Sequence, residues 1–323
     1  MGWYDTGHPH PEYKKMKRVL LILITLLLVP SITSAAVYTP KAEQVVDNVY
    51  AIIGPLDQRS EENNGLNDNL GFIVTPDGVI LIDSGASRMG AELIAKAITK
   101  VTPLPVRWVV NTGGQDHRWL GNDYFAGQGA EIIAMKRTAA TQKAYASQQM
   151  EGLKRFLGKN LEGTVPMPAT KQLEGDEAKI KLGGVELDIL YTDTHYPGDA
   201  MVWLPQKRVV FTGDLVYVDR AFVVLPWSSV KNGQKAFARM VALQPEYIVP
   251  GHGGVTDLAK AQRECGDYYD FLNNVIGAAA TEMEPMEEVI KKYTSLPAFE
   301  HLKHFKELHP VNMNRTYLEY EAF

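Results

Sequence analysis

Short apolar runs separated by turn residues dominate the first half of the chain after residue 40. Runs rich in Val and Ile predict buried strands, and Pro76-Asp77-Gly78 predicts a tight turn between two of them. These strands are predicted at Val49–Ile53, Leu70–Thr75, Val79–Asp83, Val106–Val110 and Glu131–Met135. Apolar residues at helical spacing predict helices over Gly90–Val101 and from Lys136 to about Leu157.

The second half of the chain repeats this order of strands followed by helices. Strands are predicted at Ala178–Leu182, Val185–Tyr191, Ala200–Leu204, Arg208–Thr212 and Tyr247–Val249, and helices at Gln234–Leu243 and Thr256–Ile276. Two similar β-rich halves, each covered by helices, predict two sheets packed face to face between helical layers. Residues 280–323 are predicted to add helices and a strand-like piece at Tyr317–Tyr320, forming a tail that packs on the core.

The N-terminus has the order of a secretory signal. Basic residues precede the apolar run Val19–Val29, and small residues follow it up to Ala36. The run is short for a membrane span, so cleavage near Ala35 or Ala36 is preferred over an uncleaved anchor. We therefore predict a periplasmic or secreted mature protein with no stable membrane span.

Three segments follow from this pattern. Residues 1–36 form an N-terminal extension and signal peptide, residues 37–279 the folded domain, and residues 280–323 the C-terminal tail. Met16 stands directly before Lys17-Arg18, which suggests that it is the true start.

Composition narrows the classes of function. The chain has 323 residues with a formal net charge of −5, which gives no reason to expect nucleic acid as a partner. The single cysteine, Cys265, excludes an internal disulfide and a cysteine-rich zinc module. No Gly-x-Gly-x-x-Gly, P-loop or Gly-x-Ser-x-Gly motif occurs, which argues against nucleotide cofactors and a serine hydrolase.

Three histidines stand out by their context. Between residues 37 and 300 the only histidines are His117, His195 and His252, and each follows a predicted strand in a loop that contains Gly or Pro. A rigid sheet positions residues on such loops while leaving them accessible. Three unrelated histidines remain the other interpretation.

The histidines belong to a series of motifs. These are Leu81-Ile82-Asp83-Ser84-Gly85, the segment 111–122, Thr192-Asp193-Thr194-His195-Tyr196-Pro197-Gly198, Gly213-Asp214 and Pro250-Gly251-His252. Over residues 44–275 this order resembles the metallo-β-lactamase superfamily. The last three match its Thr-x-x-His-x-Pro-Gly, Gly-Asp and Pro-Gly-His motifs.

The resemblance implies an α/β fold, a four-layer αββα sandwich, here with a helical C-terminal extension. It also implies zinc, because imidazole nitrogen and carboxylate oxygen suit Zn²⁺ and leave room for a water that becomes hydroxide near neutral pH. Asp214 would bind or bridge metal. Asp83 would fix the His117 loop, or would merely cap a turn.

The segment 111–122 departs from the family pattern Asn-Thr-His-x-His-x-Asp-His-x-x-Gly-Asn. Aligned without a gap, its four ligand positions hold Gly113, Gln115, His117 and Arg118. Shifted by one residue, they hold Thr112, Gly114, Asp116 and His117. The sequence leaves both registers open.

Both registers deplete the first metal position, which keeps only His195 and a share of Asp214. The second keeps His117, Asp214 and His252, with Asp116 or His195 completing it. We therefore predict at most one tightly bound metal ion, with zinc as the expected metal. In the ungapped register Arg118, with Gln115 nearby, would hold an anionic group of the substrate.

The predicted function is metal-dependent hydrolysis of a small ester, thioester or lactone-like substrate. Metal-bound hydroxide would be the nucleophile, with Asp214 on the metal and Asp116, if unligated, as general base. The alternative is a non-catalytic binding or accessory protein with a residual metal or anion pocket. The export signal, the Asn-rich loop before Gly71 and the tail motif Asn314-Arg315-x-Tyr317 resemble the branch found with periplasmic quinoprotein and sulfur-oxidation systems, which implies a periplasmic redox-system partner.

Overall fold

The computed structural model describes residues 38–321. The predicted signal peptide and start at Met16 therefore lie outside the described residues. Within the described part, no helix is both long enough and apolar enough to cross a bilayer.

The first sheet has seven strands, in the order β1-β2-β3-β4-β5-β6-β7. The first four strands pair antiparallel, and β4 to β7 pair in parallel. The strands are β1 Ala42–Val46, β2 Val49–Ile52, β3 Leu70–Thr75, β4 Gly78–Ile82, β5 Val106–Val110, β6 Glu131–Met135 and β7 Lys171–Leu173.

The second sheet has five strands, in the order β12-β11-β10-β9-β8. All neighbours are antiparallel except β11 and β12, which are parallel. The strands are β8 Glu177–Leu182, β9 Val185–Tyr191, β10 Ala200–Leu204, β11 Val209–Phe211 and β12 Tyr247–Val249.

Helices connect and cover the two sheets. They are α1 Arg88–Thr99, α2 Asp116–Trp119, α3 Asn122–Ala126, α4 Lys136–Leu157, α5 Val230–Ala242, α6 258–281, α7 Met286–Lys292 and α8 Phe305–Glu321. Helix α6 is continuous but contains two π-helical stretches, Gln262–Gly266 and Leu272–Gly277.

The inner faces of the two sheets share one apolar core. Ile82 and Ile133 of the first sheet pack with Ile189 and Val202 of the second. At Gly71 the sheets come so close that an added Cβ would lie 2.1 Å from the Phe211 ring. Burial of these side chains drives the two sheets together.

The outer faces are covered by helices. Ile94 and Ile98 of α1 pack on the first sheet with Phe72 and Leu81. On the second sheet, Trp203 and Ile248 pack with residues of α5, α6 and α8, among them Phe237. The predicted four-layer αββα sandwich with a helical C-terminal segment is confirmed.

The predicted strand at Tyr317–Tyr320 is wrong, because these residues belong to α8. Met313 and Tyr317 lie one helical turn apart and are both buried in the core that covers the second sheet. The Tyr320 hydroxyl donates to Asn273 Oδ1 at 2.8 Å. Packing on one helical face therefore overrides the β-propensity of the tyrosines.

Two edge strands, β1 and β7, were not predicted. Their sequences, AEQVV and KQL, are polar and largely exposed or half-buried. A strand at the edge of a sheet needs no continuous apolar run because only one side pairs.

Candidate metal centre

The site lies where loops leave the carboxyl ends of strands from both sheets. Asp83 follows β4, and the loop with His117 follows β5. Asp214 follows β11, and His252 follows β12. Loops distant in sequence therefore meet at one edge of the sandwich, as the histidine pattern predicts.

Three potential ligands converge within this region. His117, Asp214 and His252 offer ligand atoms that all lie within 4.8 Å of one another, and all three side chains are buried. His117 Nε2 lies 3.0 Å from Asp214 Oδ2, and His252 Nε2 lies 3.4 Å from Asp214 Oδ1. Ligands on a tetrahedral zinc ion lie roughly 3.3 Å apart for bonds of about 2.0–2.1 Å. The donor set and its spacing therefore fit one divalent cation.

His252 is oriented for such a role. Its Nδ1 lies 2.8 Å from the Asn67 carbonyl oxygen, so a proton on Nδ1 leaves the Nε2 lone pair directed at Asp214. The Tyr217 ring stacks on the imidazole with centroids 4.5 Å apart. Burial lowers the pKa of His252 to about 3, so the ring is neutral at pH 7.

His117 sits between two carboxylates. Its Nε2 faces Asp214, while its Nδ1 lies 3.2 Å from Asp116 Oδ1. Burial would lower the pKa of His117, but Asp214 and the hydrogen bond with Asp116 raise it to about 9. A metal ion binds neutral imidazole, so its binding at this position would release a proton.

Arg118 is the most densely bonded side chain of the site. Its side chain is 1% exposed. Nη2 donates to Asp214 Oδ1 at 2.5 Å, and Nε donates to Asp214 Oδ2 at 3.3 Å. Nη1 donates to Asp83 at 3.2 Å, Asp68 at 3.4 Å and the Asn69 carbonyl at 2.8 Å. All three guanidinium nitrogens have protein acceptors. Arg118 is therefore engaged with the protein's own carboxylates and is not free to bind an anionic group of the substrate, which is the role that the sequence predicts for it.

The loop geometry favours the ungapped register. A Cβ on Gly113 would point toward Asp199 Oδ1 and the Arg118 side chain, at 3.0 and 3.3 Å. A Cβ on Gly114 would instead lie 2.5 Å from Thr141 of α4, where no side chain fits. Gly113 and Arg118 thus face the site, as the ungapped alignment requires of ligand positions.

Asp83 anchors this loop. Its carboxylate accepts from the Thr112 backbone N–H at 2.7 Å and from the Thr112 hydroxyl at 2.6 Å. Burial raises the pKa of Asp83 to about 6, despite the nearby Arg118 guanidinium. Of the two roles expected for Asp83, the structure shows contacts that fix the loop.

Asp116 and His195 lie beside the three-ligand group and not within it. The Asp116 carboxylate pairs with Arg59 and accepts from the His117 backbone N–H at 2.8 Å. Burial would raise the pKa of Asp116, but Arg59 and His117 hold it below the ordinary value, which makes the carboxylate a weak base. Burial lowers the pKa of His195 to about 4, so its imidazole is neutral.

A cavity of about 210 Å³ opens over the site. Its walls include His117, His195, His252 and Gln115. Sequence reasoning missed four further residues at or beside the cavity: Arg59, Asp68, Tyr217 and Arg220. None of the four belongs to a sequence motif. The sequence indicates them only by their closeness along the chain to Asn67 or Asp214. Neither Trp119, which is fully buried, nor Trp227, which is 45% exposed, is among the residues that line this cavity.

The model of the metallo-β-lactamase superfamily matches residues 64–252, more than half of the chain. The chain belongs to the metallo-β-lactamase superfamily. The resemblance seen in the sequence is therefore confirmed for the superfamily. Assignment to the quinoprotein and sulfur-oxidation branch stays a prediction.

Two curated proteins are similar in sequence. A type 2 metallo-β-lactamase of Elizabethkingia meningoseptica is 24% identical, over 77% of this chain and 92% of that protein. The α subunit of a 2,4-dinitroanisole O-demethylase of Nocardioides sp. is 26% identical over 54% of this chain. The chain matches only 49% of the length of that subunit.

Solved structures share the fold. The sec-alkylsulfatase Pisa1 of Pseudomonas sp. superposes with a TM-score of 0.69 at 16% identity, covering 88% of this chain and 50% of the alkylsulfatase. The DIM-1 metallo-β-lactamase, in its structure after exposure to ceftazidime, superposes with a TM-score of 0.56 at 17% identity, covering 73% of this chain and 99% of DIM-1.

Proposed function

We propose that this protein is a metal-dependent hydrolase of a small ester, thioester or lactone-like substrate. One divalent cation, zinc by the nature of the donors, would be held by His117, Asp214 and His252. The observation that carries the proposal is the convergence of these three donors within 4.8 Å beside an open cavity. A cation bound there would supply Lewis-acid polarisation of a carbonyl or phosphoryl oxygen.

The protein's own residues prepare the cavity. The Asn67 carbonyl and the Tyr217 ring fix the His252 imidazole. Asp214 is held ionised, because Arg118 and His117 outweigh burial and keep its pKa well below the ordinary value. The neutral His195 lines the cavity, where it can accept a hydrogen bond from water or substrate.

The size of the cavity supports a small substrate. Its volume of about 210 Å³ lies below the roughly 300–1,000 Å³ of pockets that enclose drug-sized ligands. Action in the periplasm belongs to the same proposal and rests on the signal-like sequence of residues 14–36. A redox-system partner rests only on the branch resemblance.

Metal analysis of purified protein tests this proposal. We expect about one equivalent of metal in the wild type, and its loss in His117→Ala and His252→Ala, because each removes one of three donors. Hydrolysis of 4-nitrophenyl acetate should fall to background in the same variants. His301→Ala is the matched control, since the His301 side chain is 57% exposed and is not among the residues that line the cavity. A wild type without stoichiometric metal, or variants that hydrolyse the ester normally, would refute the proposal.

A second candidate is a non-catalytic binding protein that retains the fold. The contacts of Arg118 favour it, because this guanidinium already bonds both oxygens of Asp214, a proposed metal ligand. The positive charge of Arg118, within hydrogen-bond distance of Asp214, opposes binding of a metal ion at the same carboxylate. Specific ligand binding by a metal-free protein that hydrolyses no ester would support this candidate.

A further inference from the structure

Arg220 is a buried cation in the cavity wall, and two of its three guanidinium nitrogens have no hydrogen-bond partner among the described residues. The residue is 4% exposed and lines the cavity that contains His117, His195 and His252. Among the described residues, its Nε and Nη1 atoms have no hydrogen-bond acceptor. Arg118, the other buried arginine of the site, has acceptors on every guanidinium nitrogen. A buried guanidinium without acceptors is costly, so a group absent from the chain itself is the natural partner.

The backbone around Arg220 is held firmly. The Lys303 backbone N–H donates to the Asp219 carbonyl at 3.0 Å, and the Ala221 N–H donates to the Lys303 carbonyl at 3.0 Å. The C-terminal segment thus clamps the arginine on both sides. Leu308 of α8 also lines the cavity, so this segment forms part of its wall.

Arg220 stays charged, because a guanidinium is not deprotonated in proteins. Burial lowers the pKa of Arg220 and Arg59 lowers it further, whereas Asp214 and Asp57 raise it. Arg59 itself donates to Asp116 and lies 3.0 Å from His117 Nδ1. The Tyr217 ring lies 5.9 Å from the Arg220 guanidinium carbon and provides a partial, uncharged counterpart.

Two amide oxygens in the same cavity also lack donors. Within the part of the chain that the structure covers, Gln115 Oε1 and Asn67 Oδ1 are buried and unpartnered. The Asn67 Nδ2 donates to the Asp57 carbonyl at 3.2 Å, which fixes its oxygen as the free end. Besides Arg59, which is paired with Asp116, the cavity wall therefore contains one guanidinium and two amide oxygens that can bind a single small molecule.

We propose that Arg220 binds the oxyanion group, carboxylate or sulfate, of a small ligand in this cavity. Gln115 and Asn67 accept hydrogen bonds from a hydroxyl or amide of the same ligand. Arg220 thus takes the anion-binding role that the sequence predicts for Arg118. That this ligand is an ester substrate rests on the proposed function, whereas binding of the oxyanion does not.

Calorimetric titration with succinate and with sulfate tests binding separately from catalysis. We expect the wild type to bind at least one of the two anions, and Arg220→Gln to weaken that binding at least tenfold. The matched control is Arg155→Gln, an exposed arginine of α4, which should bind like the wild type. Preference for succinate or for sulfate identifies the oxyanion.

Hydrolysis provides the second arm of the experiment. The wild type should prefer mono-4-nitrophenyl glutarate over 4-nitrophenyl acetate in kcat/KM, and Arg220→Gln should reduce that ratio at least tenfold. Anion binding that depends on Arg220 in a protein without esterase activity would overturn the proposed function alone. Equal anion binding by the wild type and Arg220→Gln, or no binding by either, would overturn this inference even if the protein hydrolyses esters.

Discussion

Arg118→Met is expected to lower the free energy of unfolding by about 3–5 kcal/mol, the usual cost of removing one partner from a buried ion pair. Methionine fills most of the space but leaves Asp68, Asp83 and Asp214 together without the guanidinium that bonds all three. Urea denaturation at pH 7 in the presence of a chelator measures the effect without a contribution from bound metal.

Two controls separate this effect from general loss of an arginine. Arg155→Met removes an exposed arginine and should change the free energy of unfolding by no more than about 0.5 kcal/mol. Arg118→Lys retains the charge but loses the planar guanidinium, so its loss in free energy of unfolding should lie between those of Arg118→Met and Arg155→Met. If Arg118→Met unfolds at the same urea concentration and with the same slope as the wild type, the guanidinium does not stabilise the carboxylate cluster.

Trp119→Ala should have a comparable cost, about 3–5 kcal/mol, because it removes a large buried side chain. Trp119 is fully buried among Leu120, Leu153 and Leu157. Its Nε1 donates to the Gly114 carbonyl at 3.1 Å and to Gln149 Oε1 at 2.9 Å. The substitution therefore opens a cavity and releases the loop that precedes His117. Thermal or urea unfolding measures the loss.

Trp227→Ala is the matched control. Trp227 is 45% exposed and packs edge-on against Tyr196 with ring centroids 5.3 Å apart. Its removal should cost less than about 1 kcal/mol, since little apolar surface leaves the core. Trp119→Phe keeps most of the volume and isolates the hydrogen bond that the single indole N–H shares between the two acceptors, worth about 1 kcal/mol. Equal losses at Trp119 and Trp227 would contradict the structural role assigned to Trp119.

Local patterns determined most of the fold. Val185–Tyr191 and Ala200–Leu204 form strands with the predicted bounds, because Val, Ile and Leu in short runs favour buried strands wherever they pack. The edge strand Lys171–Leu173 was missed, since its stability comes from pairing with β6 and not from its own composition. Tyr317–Tyr320 was wrong for the opposite reason, because long-range packing fixes those tyrosines on a helix.

The sequence by itself determined the superfamily, the loops that carry the site, and the grouping of His117, Asp214 and His252, because short motifs at strand ends encode all three. Only the tertiary structure decided what surrounds them. It pairs Arg118 with three carboxylates and turns Asp116 toward Arg59. It also leaves Nε and Nη1 of Arg220 without acceptors among the residues that the structure describes. Those environments arise from segments far apart in the chain, and burial and pairing of charge depend on spatial neighbours that no local pattern records.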